Sequence, residues 1–457
     1  MKSHLLCIGA MLLIVSALPA AAQQTASSGT STGSGGTPAT TTTASSPPFS
    51  AGMGLALGAQ TIDNVNWQLL ALQPSFKIGK IGIGLNLMLH FRFTGNNDSI
   101  EIRRQDWEPT SFSDFFSLYL PKISYVSYGS PGDPLYASLG AIESATLGNG
   151  FIVGGYTNTL LAPSVQQFGL QFGLDGSLFK FPYVGIQTFA ANLANFDLLG
   201  ANLYFRPLAG TELPILKNLQ ISGIVAADRN PYLYYSGTST PPTNPSVVVY
   251  GSDLLVPILT DPIVSLNGMG SLAFEPHGAG QMVGFGGQFF RFLNYQAEVR
   301  FLGANFIPDY FGPTYDLYRV QEYEVASGQT PSVGGVGWYA LTGVSFLNNK
   351  LAFDVSLEGP FHAPPAGSTN YLDYPHLTAQ LDLAPGVIPG FFFSASYDKK
   401  MISSFSQLVS ATNAVVGAAL NYQAGPAVIT LSYNLQYDPD TGTWNTTSNL
   451  STSISLF

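Results

Sequence analysis

Seven charged residues stand where the surrounding chain alternates in polarity: Arg92, Arg206, Glu298, Arg300, Asp354, Glu358 and Asp382. Each falls in the polar phase of a two-residue repeat, opposite large apolar side chains. Charges confined to one side of otherwise apolar strands suit an ion filter, or a lattice of ion pairs that holds a wet interior. Glu298 and Arg300 lie two apart and so share a face. If that pair filters ions, changing either to Gln should alter ion preference.

Two further stretches offer chemistry. Residues 309–324 are dense in tyrosine and acid, and Tyr310, Phe311, Tyr315 and Arg319 form a candidate loop site for a sugar or an aromatic solute. The plainer expectation for that stretch is a folded surface loop held by tyrosine packing. Residues 144–159 carry Gly148, Gly150, Gly154 and Gly155 around Phe151, Ile152 and Val153. No Gly-Lys-Ser/Thr follows, so this is not a phosphate loop. It is either a flexible bend or a segment folded into a pore. A short helix is expected over Phe112–Leu120, capped by Ser113 and stopped by Pro121, resting inside a barrel or on its rim.

Enzyme chemistry is poorly served. His90, His277, His362 and His376 show no pair at metal-ligand spacing, and no Gly-x-Ser-x-Gly elbow stands out. The expectation is a non-enzyme with no metal and no cofactor. The acid excess argues against a nucleic-acid partner: without Lys2 there are 16 basic residues against 27 acidic, a net near −11.

The elements that would position these residues are strands. From Ala427 to Asp438 the chain alternates without error: Ala427, Ile429, Leu431, Tyr433, Leu435 and Tyr437 on one side, Val428, Thr430, Ser432, Asn434, Gln436 and Asp438 on the other. The same scheme recurs in 81–93, 168–175, 199–206, 295–301, 351–358 and 377–383. One face is large and apolar, and the other is small and mostly uncharged. Only 10% of the 457 residues are charged, against ~25% in soluble domains. A soluble sandwich would need a charged outer face. No run of ~18 apolar residues follows the N-terminal region, so helical spans are excluded and a closed barrel remains.

The N-terminus carries Lys2, an apolar run Leu5–Leu18 and Ala20-Ala21-Ala22, which read as a signal peptide over 1–22. Cys7, the one cysteine, would leave with it. Residues 23–48 are Gln, Thr, Ala, Ser, Gly and Pro almost throughout, a low-complexity linker that cannot form a core. The barrel is expected over 49–457. The fold class is all-β: a single transmembrane antiparallel up-and-down barrel of about 14–18 strands with an inward-folded loop or short helix. Short connections such as 79–80, 293–294 and 424–426 are expected as periplasmic turns. Longer ones (95–111, 230–245, 307–332 and 359–373) are expected outside or folded inward.

With these residues the chain resembles Gram-negative outer-membrane β-barrel proteins of porin-like type. The chain closes on Leu450, Thr452, Ile454, Leu456 and Phe457, similar to the amphipathic last strand with a C-terminal aromatic in that family. Phe457 follows Leu456 and is out of phase with Ile454. The resemblance implies placement in outer-membrane lipid, handling by periplasmic chaperones and the barrel-assembly machinery, and Phe457 as the targeting terminus. The expected function is a passive aqueous channel for small solutes. Two alternatives stay open: a plugged carrier of hydrophobic molecules, for which inward Met88, Leu302 and Phe392 speak, and a surface adhesin or structural barrel.

Overall fold

The structure is a computed structural model that describes residues 49–62, 65–94, 99–162, 165–213, 215–235, 237 and 240–455. The signal peptide, the linker and Phe457 lie outside the described residues.

The first strands are β1 (Phe49–Ile62), β2 (Val65–Ile78), β3 (Ile81–Leu85), β4 (Leu87–Thr94), β5 (Ser99–Ile102), β6 (Ile123–Tyr128), β7 (Leu135–Gly140), β8 (Ala145–Leu147) and β9 (Val153–Tyr156). Next come β10 (Gly169–Asp175), β11 (Val184–Ala190), β12 (Leu198–Phe205), β13 (Gln220–Asp228), β14 (Val247–Thr260), β15 (Val264–Glu275), β16 (Gly278–Phe289) and β17 (Leu293–Leu302). The chain finishes with β18 (Gly335–Phe346), β19 (Leu351–Pro360), β20 (His376–Ile388), β21 (Phe391–Lys399), β22 (Ala414–Ala424), β23 (Ala427–Asp438) and β24 (Thr443–Ser455). Two helices accompany them, α1 (Phe112–Tyr119) and α2 (Tyr315–Ala326).

Apart from the β8–β9 hairpin, the strands form one antiparallel sheet that closes on itself, with Gly54 of β1 opposite Ser455 of β24 and Gln60 opposite Asn449. Among the described residues every wall strand except β5, which pairs only with β4, has a partner on both sides, and such closure suits a backbone in hydrocarbon. Strands β3 and β4 both pair with β2 and form one wall strand broken at Asn86. Strands β5 and β6 share the next place, β5 against β4 and β6 against β3. The wall therefore has 20 positions among the described residues, not the expected 14–18. The shortfall comes from short strands such as β6, β7 and β11, whose six or seven residues give too few alternations to mark from sequence.

Period two sets the faces. In β14, Val247, Val249, Asp253 and Leu255 are buried, whereas Val248, Tyr250, Leu254 and Ile258 point outward and are exposed. Outward apolar residues recur around the wall, among them Leu203 at 63%, Val283 at 63% and Phe301 at 49% exposure. A continuous apolar girdle of this kind is stable against lipid and not against water. The molecule is a transmembrane β-barrel.

Connections divide between the rims. Gly79–Lys80 and Gly425–Pro426 are tight turns at one rim, where β1 begins and β24 ends. One expected turn moves: the break before β17 falls at Phe290–Phe292, and Leu293 and Asn294 already belong to the strand. The long connections gather at the other rim. Helix α1 starts two residues earlier than a Ser113 cap would allow. Its cap is Ser111, whose Oγ accepts from the Asp114 N–H at 3.1 Å. Ser111 has the extended backbone that a cap needs, while Ser113 sits inside the helix.

The apolar core lies within the lumen. Two inward-folded segments build it: 141–168, which carries β8 and β9, and 303–334, which carries α2. They meet through backbone bonds from Asp309 N–H to Phe151 O and from Phe311 N–H to Ile152 O, both 3.0 Å. Helix α2 is buried on most sides, including Tyr315, Tyr318, Val320 and Val325. Gly328, at φ +75°, ends it in the left-handed conformation that releases the chain back toward β18.

Candidate functional site

The tip of segment 141–168 reaches mid-wall. Gly148 (φ +59°) and Gly150 (φ +89°) turn the chain back, and Asn149 between them is held on both sides. Its N–H donates to Asp253 Oδ2 at 2.5 Å, and its Nδ2 donates to Gly270 O at 3.1 Å and Ser271 Oγ at 3.2 Å. Asp253 and Ser271 belong to the inner face of β14 and β15. Of the two readings of this glycine-rich stretch, the structure shows the inward-folded segment. A Cβ on Gly148 would sit 2.0 Å from Asp253 Oδ2, in a backbone conformation that β-branched residues avoid. Gly148→Val is therefore expected to lift the tip from the wall, at about 1–3 kcal/mol for the backbone alone. Limited proteolysis with proteinase K should then cut within 141–168 of the variant and not of the parent. Equal resistance would count against the pinned tip.

Segment 303–334 is clamped by Arg319. Its Nη2 donates to Asp197 Oδ2 at 2.7 Å and to Asp228 Oδ1 at 2.8 Å, and Asp316 lies 3.6 Å from Nη1. Tyr315 Oη donates to Asp228 at 2.7 Å, and Gln167 of the other inward segment donates to Asp316 at 2.8 Å. This guanidinium thus fastens the helix to the ends of β12 and β13 and, through Asp316, to its companion segment. Burial pushes the Asp316 carboxyl up to about 6, against the pull of Arg319. Glu322 and Asp309 are pushed up to about 8, also by burial first.

The residues singled out from the sequence separate into groups. Arg300 donates to Glu298 at 2.7 Å and also to Glu358, and His376 Nδ1 lies 2.8 Å from the same Glu358. These three charges form one paired network on the inner face of β17 and β19. Arg206 pairs with Asp175 at 2.8 Å near the short-turn rim. Arg92 pairs with Glu101 at 2.7 Å and lies over the Trp67 ring. Asp354 and Asp382 are diagonal neighbours on β19 and β20, half-exposed to the interior. Tyr310, Phe311, Tyr315 and Arg319 come together inside the plug, each buried. Asn149, Asp197, Asp228 and Asp253 were missed. The Gly-Asn-Gly turn was the one available signal, since Asp197 lies just before β12, Asp228 and Asp253 stand among inward apolar residues, and their partners arrive from more than 80 residues away.

The lumen has two unlike halves. On β11–β16 many inward positions are apolar, including Phe189, Ile224, Val249, Leu255, Met269 and Met282, and the plug packs against them, with Asp228, Asp253 and Ser271 among the polar exceptions. On β20–β24 and β1 they are small and polar. Cross-strand pairs there include Gln380–Ser396, Asn421–Thr430, Ser432–Asn449, Asn434–Thr447 and Gln60–Asn449. Against this second half lies a cavity of about 340 Å³.

No family model matches the chain, and no curated protein matches it. Solved structures that align with it include OccK3 (OpdO) of Pseudomonas aeruginosa, with 11% identity, a TM-score of 0.36 and coverage of 89% of this chain and 95% of that one. OpdK of the same organism, solved with vanillate, gives 9% identity, a TM-score of 0.33 and coverage of 89% and 98%. CdiB from Acinetobacter baumannii gives 8% identity and a TM-score of 0.26, and the alignment spans 89% of this chain but 60% of CdiB. Likenesses this distant decide neither the fold nor the solute, which rest on the chain's own geometry.

Proposed function

We propose that this chain is an outer-membrane channel through which small hydrophilic solutes diffuse beside a fixed plug. The observation that carries the reading is the two-sided lumen. Inward apolar residues are concentrated where the plug covers them, and the wall of β22–β24 and β1 presents amides, hydroxyls and glycine. An inert structural barrel would gain by filling both halves, since an unfilled polar face holds water and adds no packing. A carrier of hydrophobic molecules needs an apolar path. Two of the apolar residues that point inward are instead engaged in packing: Leu302 against the plug core and Met88 against Ala56, Leu69 and Ala71.

Purified protein in planar bilayers should give steady single-channel current in potassium chloride. Absence of current, with the barrel folded, would overturn the channel reading. Selectivity should follow the charges left facing the open half. Arg300, Glu298 and Glu358 are engaged with one another, whereas Asp354 and Asp382 meet the aqueous side without a salt-bridge partner among the described residues. Converting both aspartates to Asn is expected to move the reversal potential in a salt gradient toward zero, as cation preference falls. An unchanged reversal potential would remove them from the filter.

A further inference from the structure

The approximately 340 Å³ cavity has a lining unlike the rest of the interior. One wall is the inner face of β23, β24 and β1, with Ser432, Asn434, Thr447, Asn449 and Gln60. The facing wall is the inward segment, with Thr159, Gln166, Gln167 and Phe168. No charged side chain lines it, although charged pairs occupy most other parts of the lumen. The segment is held over this space by Gln436, which donates to Leu160 O at 2.6 Å.

The polar groups here are unusually free. Ser432, Asn434 and Thr447 make no side-chain hydrogen bond among the described residues. Gln167 is 8% exposed, and its Oε1 has no partner, like the Asn449 Oδ1 across the cavity. Gly417 stands opposite Asn434 across the β22–β23 pairing, where a Cβ would come within 3.3 Å of Asn434 Oδ1 and 2.6 Å of Ser396 Oγ. Glycine there keeps the wall low beside the amide.

We propose that this chamber is a binding subsite for an uncharged, polyhydroxylated solute of monosaccharide size. The proposal rests on the channel reading and names its solute class. Amides offer donor and acceptor together, and so do hydroxyls, so the lining matches a molecule whose hydroxyls both donate and accept. An ion entering the chamber would lose hydration and meet no countercharge. Phe168 adds an apolar surface for the C–H face of a ring. The volume falls within the ~300–1,000 Å³ of small-molecule sites.

Liposomes carrying the full-length protein decide the matter, with potassium conductance measured on the same preparation. Swelling in glucose should be several-fold faster than in glucosamine or gluconate, which match it in size and carry a charge. Asn434→Leu combined with Thr447→Val should slow glucose entry by roughly fivefold, the effect of losing about one neutral hydrogen bond, while potassium conductance persists. Equal entry of the charged and uncharged solutes overturns the subsite and leaves the channel standing. So does a variant that conducts and admits glucose at the parent rate. If the parent passes neither potassium nor glucose, the channel reading falls and takes the subsite with it. The comparison among the three solutes uses the parent protein and does not depend on the variant folding.

Discussion

Replacing Arg319 with Met will unseat the plug and raise single-channel conductance several-fold while the barrel stays folded. Arg319 is 3% exposed and is shared by Asp197, Asp228 and Asp316. Methionine preserves much of the apolar stem and removes the charge. Three carboxylates then lie close together, buried and without their cation. Breaking a buried pair by removing one partner costs about 3–5 kcal/mol, because the remaining charge stays desolvated. That loss falls on the contact between α2 and the wall. The wall's own hydrogen bonds are untouched, so the heat-resistant gel mobility of the folded barrel should persist. Proteinase K should cut the variant within 303–334. A variant with parental conductance and parental protease resistance would show that the clamp does not hold the plug. Adding Asp197→Leu and Asp228→Leu to Arg319→Met should recover part of the lost closure, since of the three carboxylates only Asp316 then remains to be desolvated.

Conductance is also expected to fall as the medium is acidified from pH 8 to pH 5. The groups concerned are Asp309 and Glu322, each pushed up to about 8, and Asp316, pushed up to about 6. All three belong to segment 303–334. Glu322 faces Lys400, Asp309 and His376, and Asp309 faces Glu358, Arg300, Glu298 and Lys400. Asp316 faces Arg319, Asp197 and Asp228. The sign follows from proton binding. Between the ordinary carboxyl range near 4 and the raised value, the docked plug holds protons that an undocked, hydrated segment would release. Docking is therefore favoured by acid and weakens as pH rises through that interval, by about 1.4 kcal/mol per pH unit for each group still protonated in the docked form. Open probability should rise toward pH 8. Glu322→Gln, which keeps the shape and cannot ionise, should flatten much of the dependence. A pH profile identical in parent and variant would assign the titration to other groups.

The wall was legible in the sequence because two physical facts coincide along it. A strand alternates its side chains, and lipid tolerates no charge on the outward set, so β23 could be read from Ala427 to Asp438 with the faces correct. Two charged residues of the polar phase, Glu298 and Arg300, are buried within the wall. The plug was only half legible. Glycines at 148 and 150 marked a turn, but nothing in the local pattern says that Asn149 meets Asp253, 104 residues later. Nor does alternation reveal that the inward set of β14, with Val247, Val249 and Leu255, is apolar on both faces for a reason. A strand buried on both sides by lipid and plug looks like a continuous apolar run, and its second partner is invisible from one segment alone. The tyrosines at 310 and 315 suggested either a loop site for a solute or, more plainly, rings packed within a folded surface loop. Their burial follows from α2 folding inward, which no periodicity in that stretch announces.

The plug has a bearing on the order of assembly. Tyr156 and Asp316, which meet inside it, are 160 residues apart, and the second segment follows β17. No N-terminal fragment that stops short of α2 can have a filled interior, however many strands it has laid down. The apolar inner face of β11–β16 must wait uncovered until α2 arrives. The strands made last, β19–β24, then close around a core already complete and add almost nothing to it. Apart from tethers such as Glu358 and Gln436, their inner surface stands outside the apolar core, so the half of the lumen that meets the solute is also the half that can be altered with the least harm to that core.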